Sequence, residues 1–508
     1  MALARTRAVA LTGVRGEVVD VEVDIAPGLP RTTIVGLPDA ALNEARDRVR
    51  AAMHNSGARW PDTKVTINLS PASLHKHGSA FDVAVAVGLL AATQMVEPQQ
   101  VSRLVCIGEL GLDGRVRGVR GVLPSVLAAR DAGLEHVVVP MPNAAEASLV
   151  PGVRVIAVDH LRQLMDVLTG AAPEPMQPPS AGPEQPSPFG VDLAEVVGQD
   201  EGRWAMEVAA AGGHHLLLHG PPGAGKTLLA QRLPTILPAL EPDEALEVTA
   251  VHSVAGLLPA DRPMLTRPPF QAPHHSASAA AIVGGGAGVA RPGAVSLAHR
   301  GVLFLDEAPE FATEALEALR EPLESGSVVL SRSRASIRLP ARFQLVMAAN
   351  PCPCGRAYGT GEGCRCTPLQ VRRYFGRLSG PLLDRVDLQV GLRDVAQAVL
   401  LEAAPGEASE VVAARVAAAR ARSALRLTGT PWRLNADVPG PYLREHLPLA
   451  RECRQVLHRA GGGLSARGID RVLRVAWTVA DLAAHELPTT ADVLAALTLR
   501  TGTVRGAA

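Results

Sequence analysis

The chain has 508 residues, equal numbers of basic and acidic side chains, and 47% hydrophobic residues. This length is typical of two or three domains, and the charge balance excludes a globally basic surface, so any nucleic-acid contact has to be local. No apolar run reaches the roughly 18 residues of a membrane span, and charges interrupt the N-terminal segment, which predicts a cytoplasmic protein without a membrane anchor or signal peptide. Six cysteines in so long a chain argue against a secreted disulfide scaffold.

Residues 1–170 have the pattern of a mixed α/β domain. Apolar residues alternate with polar ones in its strand-like segments, and its helical segments carry longer apolar runs. The predicted elements are strands over 19–25, 65–69 and 137–139 and helices over 39–53 and 80–92. The segment 171–190 follows with seven prolines in twenty residues, which predicts a semi-rigid linker.

Strands and helices alternate from residue 191 to 390, which predicts an α/β domain around a mostly parallel sheet. From 391 to 508 the pattern is helical, and we interpret this part as a smaller α-helical lid. The predicted lid helices are 395–403, 410–427, 448–460, 469–485 and 491–499.

The most informative motif lies between an apolar strand over 216–218 and a helical pattern that begins near Leu228. Its residues are Gly220, Pro221, Pro222, Gly223, Ala224, Gly225, Lys226 and Thr227. In this context the motif is typical of a phosphate-binding loop, in which backbone N–H groups surround the phosphates. Lys226 supplies a positive charge to the β- and γ-phosphates, and the Thr227 hydroxyl suits Mg²⁺. The motif predicts ATP and Mg²⁺ as cofactors.

Two further strands end in polar residues. The apolar run 301–305 ends at Asp306 and Glu307, where Asp306 is suited to Mg²⁺ and Glu307 to polarising an attacking water. The run 345–349 ends at Asn350. An asparagine at a strand end is commonly a turn residue, but its order along the chain favours contact with the attacking water or the γ-phosphate.

Two arginines are candidates for contact with the γ-phosphate. Arg385 lies between Asp384 and Asp387, which suits either a surface salt bridge or an arginine finger that reaches the ATP of a neighbouring subunit. Arg467 follows Ser465 at the start of a lid helix, where it either contacts the phosphate from above or belongs to a solvated basic face. Sequence spacing leaves both alternatives open.

Four of the six cysteines lie in a glycine-rich loop over 352–366. They are Cys352, Cys354, Cys364 and Cys366. Two close pairs of thiolates are suited to tetrahedral Zn²⁺, although the C-x-C spacing is tighter than the usual C-x-x-C. Reduced thiols and redox-labile disulfides are the alternatives.

Two other segments are candidates for contact with a polymer. Residues 271–293 contain paired histidines and many glycines, and predict a long ordered loop. Residues 325–339 predict a hairpin with Arg332 and Arg334 near its tip, where contact with DNA phosphates competes with a merely solvated charged hairpin.

Together, the phosphate-binding loop, Asp306–Glu307, Asn350 and residues 382–385 resemble an AAA+ ATPase of the magnesium-chelatase-like branch. The segments 272–278 and 350–355 and the fused N-terminal domain narrow this resemblance to the ComM/YifB family. By this resemblance Lys226 and Thr227 match Walker A, Asp306 and Glu307 Walker B, Asn350 sensor 1, Arg385 the arginine finger, Arg467 sensor 2, and Gly198 and Gln199 the stretch bordering adenine.

The resemblance also implies a fold and an activity. The expected fold class is α/β, with a Lon-protease-like, ribosomal-S5-like N-terminal domain, an AAA+ P-loop domain and a C-terminal helical lid. The expected activity is that of a homohexameric ring motor, a DNA helicase that drives branch migration during recombination or natural transformation. Its expected partners are branched or single-stranded DNA.

Two alternatives to a DNA motor share parts of this pattern. A magnesium-chelatase-type motor that remodels a protein partner would use the same ATP motifs. A Lon-like protease is disfavoured, because Ala80 stands where the nucleophilic serine belongs and Leu123 where the lysine base belongs. Lys76 and Ser79 are interpreted as loop residues, so the N-terminal domain is expected to serve binding or assembly.

Overall fold

The computed structural model describes most of the chain. The described residues are 2–37, 39, 42, 44–74, 76, 78–170, 190–259, 263–285, 291–331, 336–358, 361, 363–395, 406–460 and 464–501. The predicted linker, apart from Gly190, lies outside these ranges, as do Arg332, Arg334 and most of the predicted helix 395–403. Within the described ranges, no helix is both long enough and apolar enough to cross a bilayer.

The N-terminal part is built on a seven-stranded mixed sheet with the strand order β3-β4-β2-β1-β5-β8-β9. Its strands are β1 Ala2–Thr12, β2 Arg15–Ala26, β3 Arg31–Val35, β4 Lys64–Ser70, β5 Leu104–Cys106, β8 His136–Pro140 and β9 Arg154–Val158, with a separate short pair, β6 Glu109–Leu110 and β7 Val116–Arg117. Its helices are α1 Ala45–Asn55, α2 Asp82–Ala92, α3 Pro98–Val101, α4 Val122–Asp131, α5 Ala144–Ala147 and α6 Leu161–Leu168.

Hydrophobic patterning explains these elements. Val19, Val21 and Val23 are fully buried on one face of β2, and every residue of α2 is buried. The three predicted strands are confirmed. Of the helix predicted over 39–53, the structure describes α1 from Ala45 onward, and residues 40, 41 and 43 lie outside the described residues. Asp39 accepts hydrogen bonds from the N–H groups of Leu42 (2.8 Å) and Gly78 (3.0 Å).

The second part contains a five-stranded, wholly parallel sheet with the strand order β11-β14-β17-β10-β18. These strands are β10 Leu216–His219, β11 Phe270–Gln271, β14 Val302–Leu305, β17 Gln344–Ala349 and β18 Leu388–Gly391; two hairpins add β12 Gly284–Gly285 with β13 Arg291–Pro292, and β15 Ser327–Ser331 with β16 Ser336–Pro340. The helices are α7 Asp200–Gly212, α8 Lys226–Ile236, α9 Pro242–Ala255, α10 Ala279–Val283, α11 Ala294–Leu297, α12 Thr313–Glu317, α13 Arg320–Ser325, α14 Pro368–Gly376 and α15 Gly380–Leu383.

The segment 271–293 is more regular than the loop that the sequence predicts. It starts in β11 and contains α10, whose first turn is capped because the Ser278 hydroxyl accepts a hydrogen bond from the Ala281 N–H at 3.2 Å. The glycine-rich residues that follow pair as β12 and β13. The capping serine and the short alanine run after it favour a helix. The many glycines in the segment had suggested a loop instead.

The C-terminal part is helical, and it packs on the parallel-sheet core. Its helices are α16 Ser409–Arg426, α17 Gly440–His446, α18 Arg451–Ala460, α19 Ala466–Leu482 and α20 Thr490–Thr501. Trp477 of α19 is buried in the same hydrophobic cluster as the core strands, and Arg471 of α19 donates a 2.5 Å hydrogen bond to buried Asp387. Apolar burial and this buried ion pair therefore join lid and core.

The N-terminal part also contacts the core. Ala250 of α9 packs with Val122 of α4, and Gly121 donates a 3.2 Å hydrogen bond to the carbonyl of Ser253. The turn between β1 and β2 lies against the β15–β16 hairpin, since a Cβ added at Gly13 would be 2.9 Å from Ile337. The two domains thus meet beside the hairpin that leads to Arg332 and Arg334.

Candidate nucleotide site

The phosphate-binding loop connects the end of β10 to the start of α8. Gly223 and Gly225 both have φ of +84°, a left-handed conformation that residues with a Cβ rarely adopt. The loop ends where α8 begins, so free N–H groups and the positive end of the helix dipole face the same space. This arrangement favours a bound phosphate group.

Lys226 is the buried cation of this site. Its Nζ donates hydrogen bonds to the carbonyls of Gly220 and Pro221, both at 2.8 Å, and to Oδ1 of Asn350 at 3.0 Å. Burial lowers the pKa of Lys226 from its ordinary value, and the carboxylates of Asp306 and Glu307 oppose that shift. The structure therefore brings Lys226 together with the predicted sensor residue, Asn350.

The predicted Mg²⁺ ligands also meet. Oγ1 of Thr227 donates a 2.7 Å hydrogen bond to Oδ2 of Asp306. The contact exists because β14 and β10 both flank β17, so the carboxyl ends of three parallel strands lie side by side. A hydroxyl and a carboxylate are hard oxygen ligands, the type that Mg²⁺ prefers.

Glu307 lies beside a residue that sequence reasoning did not assign to the ATP site. Its backbone is left-handed, with φ of 51°, and its carboxylate is 3.4 Å from Nδ1 of His275. Both side chains are partly exposed. The sequence carries no signal for this pairing, because the two residues follow neighbouring strands, β11 and β14, and are 32 positions apart in the chain.

Gln199 supports the loop from the other side. Its buried side chain donates hydrogen bonds to the carbonyls of Ala224 (2.9 Å) and Arg393 (2.6 Å). Gly198 before it has φ of +71°. The predicted adenine-bordering stretch thus ties the phosphate-binding loop to the segment after β18.

Arg385 forms an ion pair, but with a partner that the sequence did not predict. It contacts Glu324 of α13 and donates a 2.5 Å hydrogen bond to the carbonyl of Pro381. Asp387, which the sequence suggested as a partner, instead binds Arg471. Arg385 is buried but lines a surface cleft of about 400 Å³, whose lining does not include Lys226.

Arg467 is exposed in the first turn of α19, after Ser465, whose hydroxyl accepts a 3.1 Å hydrogen bond from the Gly468 N–H. It makes no hydrogen bond or ion pair with any residue that the structure describes. Farther along α19, Arg474 donates a 2.7 Å bond to the carbonyl of Val438. Arg467 is thus free to approach a ligand, and its phosphate contact remains a prediction.

The four predicted thiol ligands form one cluster. Their Sγ atoms all lie within 4.8 Å of one another, and none of the four is in a disulfide. The Sγ atoms of Cys352 and Cys354 are 3.3 Å apart, and those of Cys354 and Cys364 are 3.7 Å apart. Backbone N–H groups of Arg356 and Arg365 lower the pKa of Cys354 to about 6, which favours its thiolate.

The N-terminal domain has no equivalent reactive group at its Lon-like positions. The methyl side chain of Ala80 cannot act as a nucleophile. Leu123 is a buried core residue and cannot act as a base. The Ser79 hydroxyl donates to the carboxylate of Glu109, and Lys76 Nζ donates to backbone carbonyls, at 3.0 Å to that of Gly36. This serine and lysine are therefore not paired as nucleophile and base.

Comparison with known proteins agrees with this geometry. The family described as magnesium chelatase, subunit ChlI, matches residues 192–400, and its companion N-terminal and C-terminal families match residues 21–143 and 406–500. Together the fold and the site define an AAA+ ATPase of the magnesium-chelatase type.

Full-length relatives narrow the class. The chain is 42% identical over 507 residues to the uncharacterized protein YifB of Escherichia coli, covering 98% of this chain and 97% of that one. It is 40% identical over 488 residues to the competence protein ComM of Haemophilus influenzae, covering 95% and 94%. A shorter stretch is 25% identical over 173 residues to a Lon protease of Halothermothrix orenii, covering 32% and 22%. The chain belongs to the ComM/YifB family.

Proposed function

We propose that this protein hydrolyses ATP to move along DNA, and that it works on branched or single-stranded intermediates of recombination or natural transformation. The observation that carries the proposal is the convergence of Lys226, Thr227, Asp306 and Asn350 at one edge of a parallel sheet, with Glu307 beside them. The relative named a competence protein supports the link to DNA uptake.

In the proposed reaction, Lys226 and the loop N–H groups hold the β- and γ-phosphates. Thr227 and Asp306 would hold Mg²⁺, which would neutralise charge on the phosphates. Glu307 orients and polarises the attacking water, and Asn350 fixes its position relative to the γ-phosphate. Phosphoryl transfer depends mainly on such positioning and on charge stabilisation.

The site needs one more cation as negative charge moves onto the leaving group. We assign this role to Arg385 of another copy of the chain, because it lines a surface cleft whose lining does not include its own Lys226, where Glu324 now holds it. A ring of six subunits, in which Arg385 of each completes the site of the next, accommodates this division. The ring is part of the proposal.

DNA contact is assigned to the β15–β16 hairpin, which leads to Arg332 and Arg334. Both strands of the hairpin pair regularly over five residue pairs, and they end at Ser331 and Ser336, on either side of the two arginines in the sequence. In a ring these tips would face the pore and contact phosphates without reading sequence.

The hairpin prediction is tested with forked DNA at several salt concentrations. Arg332→Ala with Arg334→Ala should weaken binding and reduce the slope of log affinity against log salt by about 2, one unit per lost phosphate contact. The matched control is Arg451→Ala with Arg454→Ala, two exposed arginines on α18, which should keep the wild-type slope. If the salt slope of the Arg332→Ala, Arg334→Ala variant is unchanged, the hairpin is a solvated charged hairpin that does not contact DNA.

The activity itself is tested by measuring ATP turnover with and without forked DNA, and by following movement of a four-way junction. The proposal predicts that DNA stimulates turnover and that the junction migrates only with ATP. If DNA neither binds nor stimulates, while a porphyrin-metallation assay responds, the chelatase-type motor replaces the DNA motor.

We also assign Zn²⁺ to Cys352, Cys354, Cys364 and Cys366. Four sulfurs at about 2.3 Å from a tetrahedral zinc ion lie about 3.8 Å from one another. The separations of 3.3, 3.7 and 3.8 Å among three of these sulfurs fit that spacing, and the four thiols are not oxidised to disulfides. A closed set of four thiolates is typical of a structural rather than a catalytic zinc site.

A further inference from the structure

The four cysteines lie next to the nucleotide site. Residues 352–366, which we call the cysteine knuckle, begin two positions after Asn350 and end immediately before Thr367. Thr367 caps α14, with its hydroxyl accepting a 3.3 Å hydrogen bond from the Gln370 N–H. The knuckle is therefore the connection between the strand that carries Asn350 and helix α14.

The knuckle touches the phosphate-binding loop itself. Gly355 has φ of +78°, and a Cβ added there would lie 2.4 Å from Cγ of Pro222 and 2.7 Å from its Cδ. Pro222 lies inside the loop, four residues before Lys226. The backbone of the knuckle is therefore packed on the phosphate-binding loop at a distance that only glycine allows.

The two ends of the knuckle hold other parts of the site. On one side, Asn350 binds Lys226 through its side chain, and its backbone N–H bonds to the hydroxyl of buried Tyr374 on α14. On the other side, Arg377 follows α14 and donates a 2.9 Å hydrogen bond to the carbonyl of Pro309, in the turn after Glu307. Strand, helix and catalytic turn are thus fixed to one another around the knuckle.

Regular structure does not explain why the knuckle holds this shape. Its described residues form turns and bends without helix or strand, and several of its residues are exposed. The four sulfurs form a cluster that brings the two ends of the loop together. One member of the cluster, Cys352, is fully buried. A metal ion bound by these sulfurs would set the positions of Gly355 and Asn350 together.

We propose that the metal-bound cysteine knuckle is a positioning element of the ATP site, which holds Pro222 of the phosphate-binding loop and Asn350 in the geometry that binds nucleotide. This inference rests on the proposed ATPase function. It gives a structural reason for a metal site next to the nucleotide site. Loss of the metal is expected to weaken ATP binding through the contact between Gly355 and Pro222.

The test measures zinc content and affinity for a fluorescent ATP analogue on the same purified protein. The wild type should hold about one zinc ion per chain. Cys364→Ser with Cys366→Ser should lose the metal and bind the analogue at least about tenfold more weakly. Tight binding by this metal-free variant would overturn the inference and leave the proposed ATPase function intact.

A pair of glycine variants tests the contact without removing a ligand. Gly355→Ala should keep its zinc and bind the analogue more weakly, since the new methyl group meets Pro222. Gly363→Ala is the matched control, because Gly363 has a similar φ of +76° in the same loop and a Cβ there meets only the Arg356 side chain, at 3.5 Å. It should keep both zinc and affinity.

The outcomes distinguish the positioning role of the cysteine knuckle from the ATP site itself. Equal weakening by both glycine variants would assign the effect to backbone strain and overturn the role of the Pro222 contact. Unchanged binding by Lys226→Ala would instead overturn the ATP site as such. Absence of zinc in a wild type that binds ATP normally would overturn both the metal assignment and the positioning role built on it, and would leave the ATP site intact.

Discussion

The N-terminal domain and the ATPase core each bury a lysine whose ammonium group is held by backbone carbonyls. Lys76 binds the carbonyls of Gly36 and Pro71, and Lys226 binds those of Gly220 and Pro221. In both cases burial lowers the pKa from the ordinary value. The local environments of the two cations are therefore alike.

The difference lies in what surrounds each cation. Lys226 also binds Asn350, and it lies near two carboxylates at the edge of a parallel sheet. Lys76 joins two loops, and the nearby hydroxyl of Ser79 is bound to Glu109 instead. A buried lysine is thus structural in one domain and part of a candidate catalytic group in the other, because only the second faces a phosphate-binding loop.

The largest expected difference is between the two lysines. Lys226→Ala should abolish detectable binding of nucleotide and lower ATP turnover by at least about 1000-fold, because it removes the cation that faces the phosphates. Lys76→Met should leave turnover per folded molecule unchanged and cost about 1–3 kcal/mol of stability, because two carbonyls lose their donor. Turnover and urea unfolding of both variants check this pair. Loss of ATP turnover in folded Lys76→Met would contradict the purely structural role given to Lys76.

The next difference is between two acids. Glu307→Gln should retain ATP binding but slow turnover by about 100-fold or more, since an amide cannot accept the proton of the attacking water. Glu109→Gln, which changes the partner of Ser79, should leave turnover as it is. Single-turnover hydrolysis distinguishes them, and a fully active Glu307→Gln would remove the residue from the mechanism.

The smallest expected difference concerns pH. Burial lowers the pKa of His215 and of His219 in the ATPase core to about 4, whereas an unfolded histidine titrates near 6.5. Between pH 6.5 and 4 the unfolded chain binds protons that the folded core does not, so stability falls as the pH falls.

His215→Asn should remove about 2 kcal/mol of that pH dependence while its amide oxygen still accepts the Leu345 N–H, which now binds Nδ1 at 3.0 Å. His54→Asn is the control, because His54 is exposed on α1 in the N-terminal domain. Urea unfolding at pH 7.5 and pH 5 measures the effect. An unchanged pH dependence in His215→Asn would show that this histidine does not titrate as its burial requires.

The structural patterns that are contiguous along the chain were predictable from the sequence. The phosphate-binding loop and the strand that ends at Asp306 have local patterns, because a glycine turn between strand and helix needs only neighbouring residues. The lid helices within the described residues were also predicted, with ends that shift by a few residues; α17 was missed because Gly440 and Pro441 at its start are typical of a loop.

The remaining contacts join residues far apart in the chain. Gln199 reaches Ala224, His275 reaches Glu307, and Arg385 reaches Glu324. Each depends on the order in which strands pack side by side, and that order brings β17 between β14 and β10 without any local signal. Arg385 shows the consequence: adjacent acids in the sequence suggested its partners, whereas the fold supplied a different one.

The central claim is that ATP is hydrolysed in a cleft to which one subunit contributes Lys226 and its neighbour contributes Arg385. The most direct measurement mixes two inactive proteins, Lys226→Ala and Arg385→Ala, and follows ATP turnover. The account predicts that each alone is inactive and that the mixture regains turnover, because mixed rings contain sites with an intact loop and an intact arginine. No recovery on mixing, or full activity of Arg385→Ala alone, would contradict it.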